Sequence, residues 1–224
     1  STATNLDEVR ISNRARTADE IAESYRMGRD NYINSVLDEG IDAKKMSSLP
    51  FWIASDTLGT NMDLIAGNSA YANYQPDINT VGLWSLEEQY GTGAYIINSA
   101  NSGYNGTPTG TTFTGGAIGK GRTFNGSSDY VTVPTGIGLA NVSFTLEAWA
   151  KRNTIGTYGM ILGQGAASAN NGLHFGFRDT NVFTCAFYAN DLDTPVAYTD
   201  LDWHHWACTY DATTNARKIY RDGV

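Results

Sequence analysis

The chain has 224 residues, with 15 Lys and Arg against 23 Asp and Glu, giving a formal net charge of −8 at pH 7. Hydrophobic residues make up 41% and charged residues 17%, which allows a packed core and argues against disorder. An acidic balance without a basic stripe argues against nucleic acid as a partner. No apolar run approaches the ~20 residues that a membrane-crossing helix needs, so membrane insertion of this stretch is not expected. The 24 Gly, 25 Thr and 19 Asn favour short strands joined by turns.

In chain order, Leu6-Asp7-Glu8-Val9-Arg10-Ile11 alternates as a half-buried strand does. Thr17-Ala18-Asp19-Glu20 forms a capping box, and Ala18, Ile21, Ala22 and Tyr25 follow as one apolar helical stripe. Gly28 is placed to stop that helix, and a weaker helical segment through Tyr32, Ile33, Val36 and Leu37 ends near Gly40. Residues 41–80 read as a connector holding one strand, Pro50-Phe51-Trp52-Ile53-Ala54; it is too long for an ordinary loop and is expected to pack on a neighbouring domain. From Val81 onward, strands are expected at 81–84, 95–98, 122–125, 130–134, 143–150, 158–163, 173–177, 182–188, 204–210 and 217–220. In the central one Phe144, Leu146, Ala148 and Ala150 share a face, with Ser143, Thr145, Glu147 and Trp149 on the other. About ten strands without intervening helices predict an antiparallel sandwich or barrel. Asp222-Gly223 is a hairpin turn signal followed only by Val224, and the chain starts at Ser1 without an initiator Met. Both give the expectation of a piece of a longer polypeptide.

Cys185 and Cys208 lie in strand-like runs. They are read either as two small buried apolar side chains or as a pair, the latter only if their strands are neighbours in register. The consecutive His204 and His205 fall on opposite faces of one strand and cannot both bind one ion; one is expected between Trp203 and Trp206. His174 is read as a strand residue, and Glu87-Glu88 as a solvated turn. Glu147 has no carboxylate at i+2 or i+4, so it is read as a structural acceptor on the sheet surface and not as half of a glycosidase pair. No Gly-x-Ser-x-Gly elbow frames a nucleophile, and Ser55-Asp56-Thr57-Leu58-Gly59-Thr60 lacks the spacing and Trp of an Asp-box.

Four separated strings occur in order: Trp84-Ser85-Leu86-Glu87-Glu88, Phe124-Asn125-Gly126-Ser127-Ser128-Asp129-Tyr130-Val131, Phe144-Thr145-Leu146-Glu147-Ala148-Trp149, and Trp203-His204-His205-Trp206-Ala207-Cys208-Thr209-Tyr210-Asp211. Together they resemble a laminin-G-like jelly-roll domain of the concanavalin A-like lectin/glucanase group, over residues 1–25 and 81–224. The resemblance implies a mainly β, two-sheet antiparallel jelly-roll sandwich in an extracellular setting, within a protein of repeated domains. Leu6-Asp7-Glu8-Val9-Arg10-Ile11-Ser12 and the helix after it resemble the closing strand and tail of another such domain. Residues 1–40 are therefore assigned to a preceding domain, 41–80 to the connector, and 81–224 to a domain lacking its last strands. The Glu-x-Asp-x-x-Glu arrangement of the glucanases is absent.

The turn at Asn125 and Asp129 offers the oxygen donors that calcium takes, and the resemblance implies a structural calcium near this turn and near the acidic closing strand. Asp7 would be that closing-strand carboxylate, serving the preceding domain. The other reading of the turn is that Asn125-Gly126 simply makes it tight while Asp129 bonds backbone. Sugar recognition needs aromatic faces flanked by planar polar groups, and Asn170-Asn171, Tyr188-Ala189-Asn190-Asp191 and Tyr104-Asn105 could form such a rim. The expected function is a non-catalytic extracellular module for adhesion, with a carbohydrate or surface ligand and adjacent domains of the parent chain as partners. The alternatives are a ligand-free structural spacer and an accessory domain of a secreted glycoside hydrolase.

Overall fold

A computed structural model describes residues 4–38, 74–134 and 136–224. The expected strand at 50–54 and the 55–60 stretch lie outside the described residues, as does most of the connector. The elements are β1 (Thr4–Ser12), α1 (Ala18–Asp38), β2 (Thr80–Trp84), β3 (Thr107–Thr109), β4 (Thr112–Gly115), β5 (Lys120–Phe124), β6 (Tyr130–Thr132) and β7 (Phe144–Arg152). After them come β8 (Gly159–Gln164), β9 (Leu173–Phe177), β10 (Phe183–Phe187), β11 (Asp191–Asp193), β12 (His204–Asp211) and β13 (Ala216–Arg221).

Every pairing is antiparallel. One seven-stranded sheet runs β13-β12-β7-β1-β5-β4, with β2 also bonded to β1; a four-stranded sheet runs β11-β10-β9-β8, and β3 pairs with β6 alone. The expected strand at 95–98 is reduced to a bridge between Ile96 and Gly106, while β3, β4 and β11 were not anticipated.

β1 sits in the middle of the large sheet. Along one edge it pairs with β7, and along the other with β5 at Thr4–Leu6 and β2 at Val9–Ser12. Residues 4–12 are thus a strand of the same sheet as β2, β5 and β7. Packing is shared too: Leu6, Val9 and Ile11 enter the same core as Phe144, Leu146 and Trp206. Their parity is not uniform along the strand, and a bulge reconciles it. The register against β7 shifts between Asp7 and Arg10, and Glu8 takes φ 48°. One extra residue there returns Val9 and Ile11 to the inner face and leaves Asp7 and Arg10 outside.

The two main sheets close over an aromatic core in which Phe183 stacks on Trp206 at 4.0 Å, with Phe175 and Phe177 edge-on to Phe183 at 4.9 Å. Cys185 of β10 and Cys208 of β12 are joined as a disulfide, with Cα atoms 6.4 Å apart. The requirement of neighbouring strands in register was too narrow: the two strands lie in facing sheets, and the bond crosses the core.

The outer face of the large sheet is covered by α1. The capping box forms as expected, with Thr17 N donating to Glu20 Oε2 at 2.8 Å and Glu20 N to Thr17 Oγ1 at 3.3 Å. The buried stripe is Ile21, Ser24 and Gly28, while Ala18 is exposed. The helix does not stop at Gly28. A Cβ there would lie 2.3 Å from the Trp149 indole, so this glycine permits the helix to approach the sheet and does not terminate it.

Candidate functional site

The turn expected to offer calcium ligands spends its oxygens on itself. Asn125 Oδ1 accepts from the amides of Ser127, Ser128 and Asp129 at 2.8–3.1 Å, and Asp129 Oδ2 accepts from the Asn125 amide at 2.9 Å. Asn125 and Asp129 therefore present a satisfied side-chain-to-backbone turn, and the geometry gives no support to a cation there.

Asp7 has different surroundings. It is fully buried, its Oδ2 accepts from Ile118 N at 2.7 Å, and Oδ1 has no partner among the described residues. Next to it the bulge buries Glu8, whose Oε2 accepts from Ser85 Oγ at 3.3 Å while Oε1 is unpartnered. Glu87, read from sequence as solvated, is half-buried and accepts from Lys120 N at 3.1 Å through both oxygens. Burial and the charge of Glu8 push the Asp7 carboxyl well above its ordinary range. Burial and Glu87 raise Glu8 to about 8, and burial raises Glu87 itself to about 7. The 116–120 loop closes over these acids through glycines: a Cβ on Gly116 would lie 2.5 Å from Asp7 Oδ2 and 2.6 Å from the Lys120 carbonyl, and one on Gly119 would lie 2.6 Å from Glu87 Oε1. Among the described residues no three acidic, His or Cys side chains gather round one point.

Glu147 is not on an open surface. It is fully buried beneath α1, where Oε2 lies 2.5 Å from Arg10 Nη2 and 3.6 Å from Arg16 Nε, and Oε1 lies 3.6 Å from His205 Nε2. His205 is fully buried, 5.6 Å from the Trp149 ring and 6.5 Å from Tyr25, instead of between Trp203 and Trp206. Burial lowers its pKa to about 4, so the ring is neutral near pH 7. On the opposite face His204 meets Asp200 at 2.6 Å and Asp222 at 2.7 Å. His174 stays a strand residue, with Nδ1 3.0 Å from the Gly172 carbonyl. Glu147 and His205 are closed off from solvent, while His204 and His174 are partly exposed.

A concave site opens at one end of the sandwich, where the loops following β8, β10 and β12 meet. It is a pocket of about 530 Å³ lined by Asn141, Asn170, Asn171, Asn190, Asn215 and Gln164, with Phe187 and Tyr210 as an aromatic wall, and no charged residue is in its lining. Phe187 and Tyr210 meet edge-on at 5.4 Å. Asn141, Asn170 and Asn215 take φ between 56° and 61°, a conformation that Asn tolerates better than most residues. The rim is braced from behind. Arg217 Nη2 donates to Asn190 Oδ1 at 2.5 Å, Asn190 Nδ2 to Asn170 Oδ1 at 2.7 Å, and Tyr210 OH to Asn215 Oδ1 at 3.0 Å. The amide groups of Asn170 and Asn215 and the whole carboxamide of Asn141 bond to no described residue. The sequence reading named Asn170, Asn171 and Asn190. It missed Asn141 and Asn215, whose only signal was their position in turns, and Gln164, the last residue of β8. Tyr104 and Asn105, also named there, do not line this pocket.

A second concavity of about 660 Å³ lies between β6 and β8, floored by Leu6, Ile11 and Trp84 of the large sheet. Asp129 is the sole carboxylate in its lining, so neither concavity holds the two carboxyl groups that glycoside hydrolysis requires. No helix among the described residues is long and apolar enough to cross a membrane.

A family model described as the concanavalin A-like lectin/glucanases superfamily matches residues 125–224. No curated protein and no solved structure matches the chain.

Proposed function

We propose that this chain, whose residues 125–224 belong to the concanavalin A-like lectin/glucanases superfamily, binds neutral carbohydrate in the asparagine-lined pocket without making or breaking bonds. The observation that carries this reading is the lining itself: five asparagines and one glutamine beside two aromatic rings, with no charge. A carboxamide both donates and accepts, as paired sugar hydroxyls require, and an aromatic wall receives the apolar face of a pyranose ring. The braces from Arg217 and Tyr210 hold those amides in place before a ligand arrives, which lowers the ordering cost of binding. The disulfide supports an oxidising, extracellular setting, and adhesion is the use that suits a weak site displayed in series.

The test is a calorimetric screen of neutral gluco-, galacto- and manno-oligosaccharides against the chain. Saturable binding of at least one series is expected, weakened at least tenfold by Asn171→Ala and measurably by Tyr210→Phe, with the melting temperature of each variant retained. Absence of binding across the screen favours the spacer reading, and binding unchanged in both variants removes the pocket from it.

The acids under β1 support a structural calcium as part of the same reading, held by Asp7 and Glu8 and not by Asn125 and Asp129. Two buried oxygens without partners and a loop whose glycines admit the acids fit a hard cation. Calcium should raise the melting temperature of the chain above that in chelator, and the rise should vanish in the Asp7→Asn, Glu8→Gln double variant. An equal rise in that variant would move the ion elsewhere.

A further inference from the structure

The chain contains three Asn-Gly pairs, Asn105-Gly106, Asn125-Gly126 and Asn171-Gly172. A glycine after asparagine lets the main-chain nitrogen reach the side-chain carbonyl carbon, because no Cβ stands in the way. In an unfolded chain the three pairs are chemically alike. The fold sets them apart.

Two of the pairs are held. Asn105 Oδ1 accepts from Asn98 N at 2.9 Å, and Gly106 N donates to the Ile96 carbonyl at 2.7 Å. Asn125 Oδ1 accepts from the amides of Ser127, Ser128 and Asp129, and its Nδ2 donates to Ser128 Oγ at 2.9 Å. Each carboxamide must give up these bonds before it can turn toward the next nitrogen, and Gly106 must also give up its acceptor.

The third pair is loose. Asn171 is exposed, and its carboxamide makes one bond to the described residues, from Nδ2 to Ser168 Oγ at 3.3 Å. The Gly172 N–H donates to no described residue. Packing also keeps a larger residue from following Asn171: a Cβ at Gly172 would lie 2.7 Å from the Ala166 carbonyl oxygen and 3.3 Å from Tyr188 Cβ. The start of β9 therefore demands a glycine beside an asparagine that lines the uncharged pocket.

We propose that Asn171 is a site of spontaneous deamidation, through which the pocket passes with time from neutral to anionic. Gly172 N gives its proton to water or hydroxide and bonds to Asn171 Cγ. The Cγ–Nδ2 bond breaks, Nδ2 takes up a proton, and ammonia leaves. Water then opens the cyclic imide at one carbonyl or the other, which yields aspartate or isoaspartate. Water enters and ammonia departs, and nothing is oxidised or reduced. Either product sets a carboxylate in a lining without charge and replaces a donor by a group that only accepts. Isoaspartate also adds a methylene to the main chain beside Gly172, whose carbonyl accepts from Tyr188 N at 2.9 Å. The conversion itself stands on the local geometry, and its effect on binding rests on the carbohydrate reading of the pocket.

The experiment ages the whole chain at mildly alkaline pH, with mildly acidic pH as a control, both folded and reduced in urea. Peptide mapping by mass spectrometry, with isoaspartyl methyltransferase labelling, follows the three pairs. In the folded chain Asn171 should convert at least tenfold faster than Asn105 and Asn125. In urea the three rates should converge, and acid should slow all of them. Equal rates in the folded chain, or a slower Asn171, would overturn the proposal. An oligosaccharide that binds the fresh chain should bind the aged chain at least tenfold more weakly, and Asn171→Asp should reproduce that loss without ageing. Full conversion with affinity unchanged would overturn the effect on the pocket. A fresh chain that binds no oligosaccharide would count against the carbohydrate reading alone, since the conversion rates decide the modification separately.

Discussion

On the inner face of the large sheet, Phe144, Leu146, Ala148 and Trp206 meet Phe175 and Phe183 of the facing sheet. On its outer face, Asp7, Arg10, Glu147 and His205 lie beneath α1 and its neighbours with equally little exposure. The inner face gains by removing apolar area from water, a non-directional effect that tolerates small shifts. On the outer face ions and an imidazole lose hydration and recover it only through particular partners at particular distances. Burial alone therefore does not say how a surface is held. The inner face should respond to lost volume and to a broken cross-link, the outer face to lost charge and to pH.

Glu147→Ala should have the largest effect, because it leaves Arg10 and Arg16 buried without their shared carboxylate. A loss of about 3–5 kcal/mol is expected from urea unfolding; a loss below about 1 kcal/mol would mean that the outer face is held by packing as the inner one is. Next, replacing Cys185 and Cys208 together by Ala removes a closure over 23 residues, which should cost about 3 kcal/mol in the chain-entropy account. A near-neutral result would show that the aromatic stack alone fixes the two layers.

The third prediction concerns pH and belongs to the outer face only. Glu8 and Glu87 have folded pKa values of about 8 and about 7, above the ordinary 4.5. The folded state thus binds more protons than the unfolded one, and the stability these acids contribute is lost as pH rises from about 4.5 through 8. His205, lowered to about 4 from 6.5, acts in the opposite sense: its contribution is lost as pH falls from 6.5 through 4. The two slopes oppose each other below pH 6.5, and above it only the acids titrate. In chelator, stability should therefore fall on the order of 2 kcal/mol between pH 6.5 and 8, and Glu8→Gln should flatten the fall. A flat profile in the unaltered chain would remove the acids from the comparison.

Gly28→Ala should have the smallest effect. An alanine normally favours a helix over glycine by about 1 kcal/mol, but the new Cβ would press on Trp149. A net loss of about 1 kcal/mol in thermal unfolding is expected; a gain would show that α1 can lift from the sheet freely.

Periodicity made much of the inner face legible. The alternation of Phe144, Leu146, Ala148 and Ala150 placed β7 correctly, and β9 matches its expected bounds. The outer face was hidden because its chemistry depends on which distant segment covers it: nothing local to Glu147 or His205 announces α1 above them. Gly28 misled for the same reason, since a glycine permitting close approach and one ending a helix look alike in sequence. The uneven parity of Leu6, Val9 and Ile11 did carry the bulge at Glu8, a signal that simple alternation smoothed over. The two cysteines were placed in strands correctly, but local pattern cannot say which strands face one another across a core. Half of the asparagine pocket was readable from loop composition, and Asn141, Gln164 and Asn215 arrive there only through the topology.

The bond between Cys185 and Cys208 has a mechanical consequence. If the chain is pulled from its two ends, the force passes from residue 185 to residue 208 through sulfur, and the residues between them carry no load. At ~3.4 Å per residue, roughly 70 Å of contour is withheld from extension. A tethered chain that is stretched until its strands part therefore lengthens by that much less, and keeps β10 and β12 at arm's length for recoil when the tension is released.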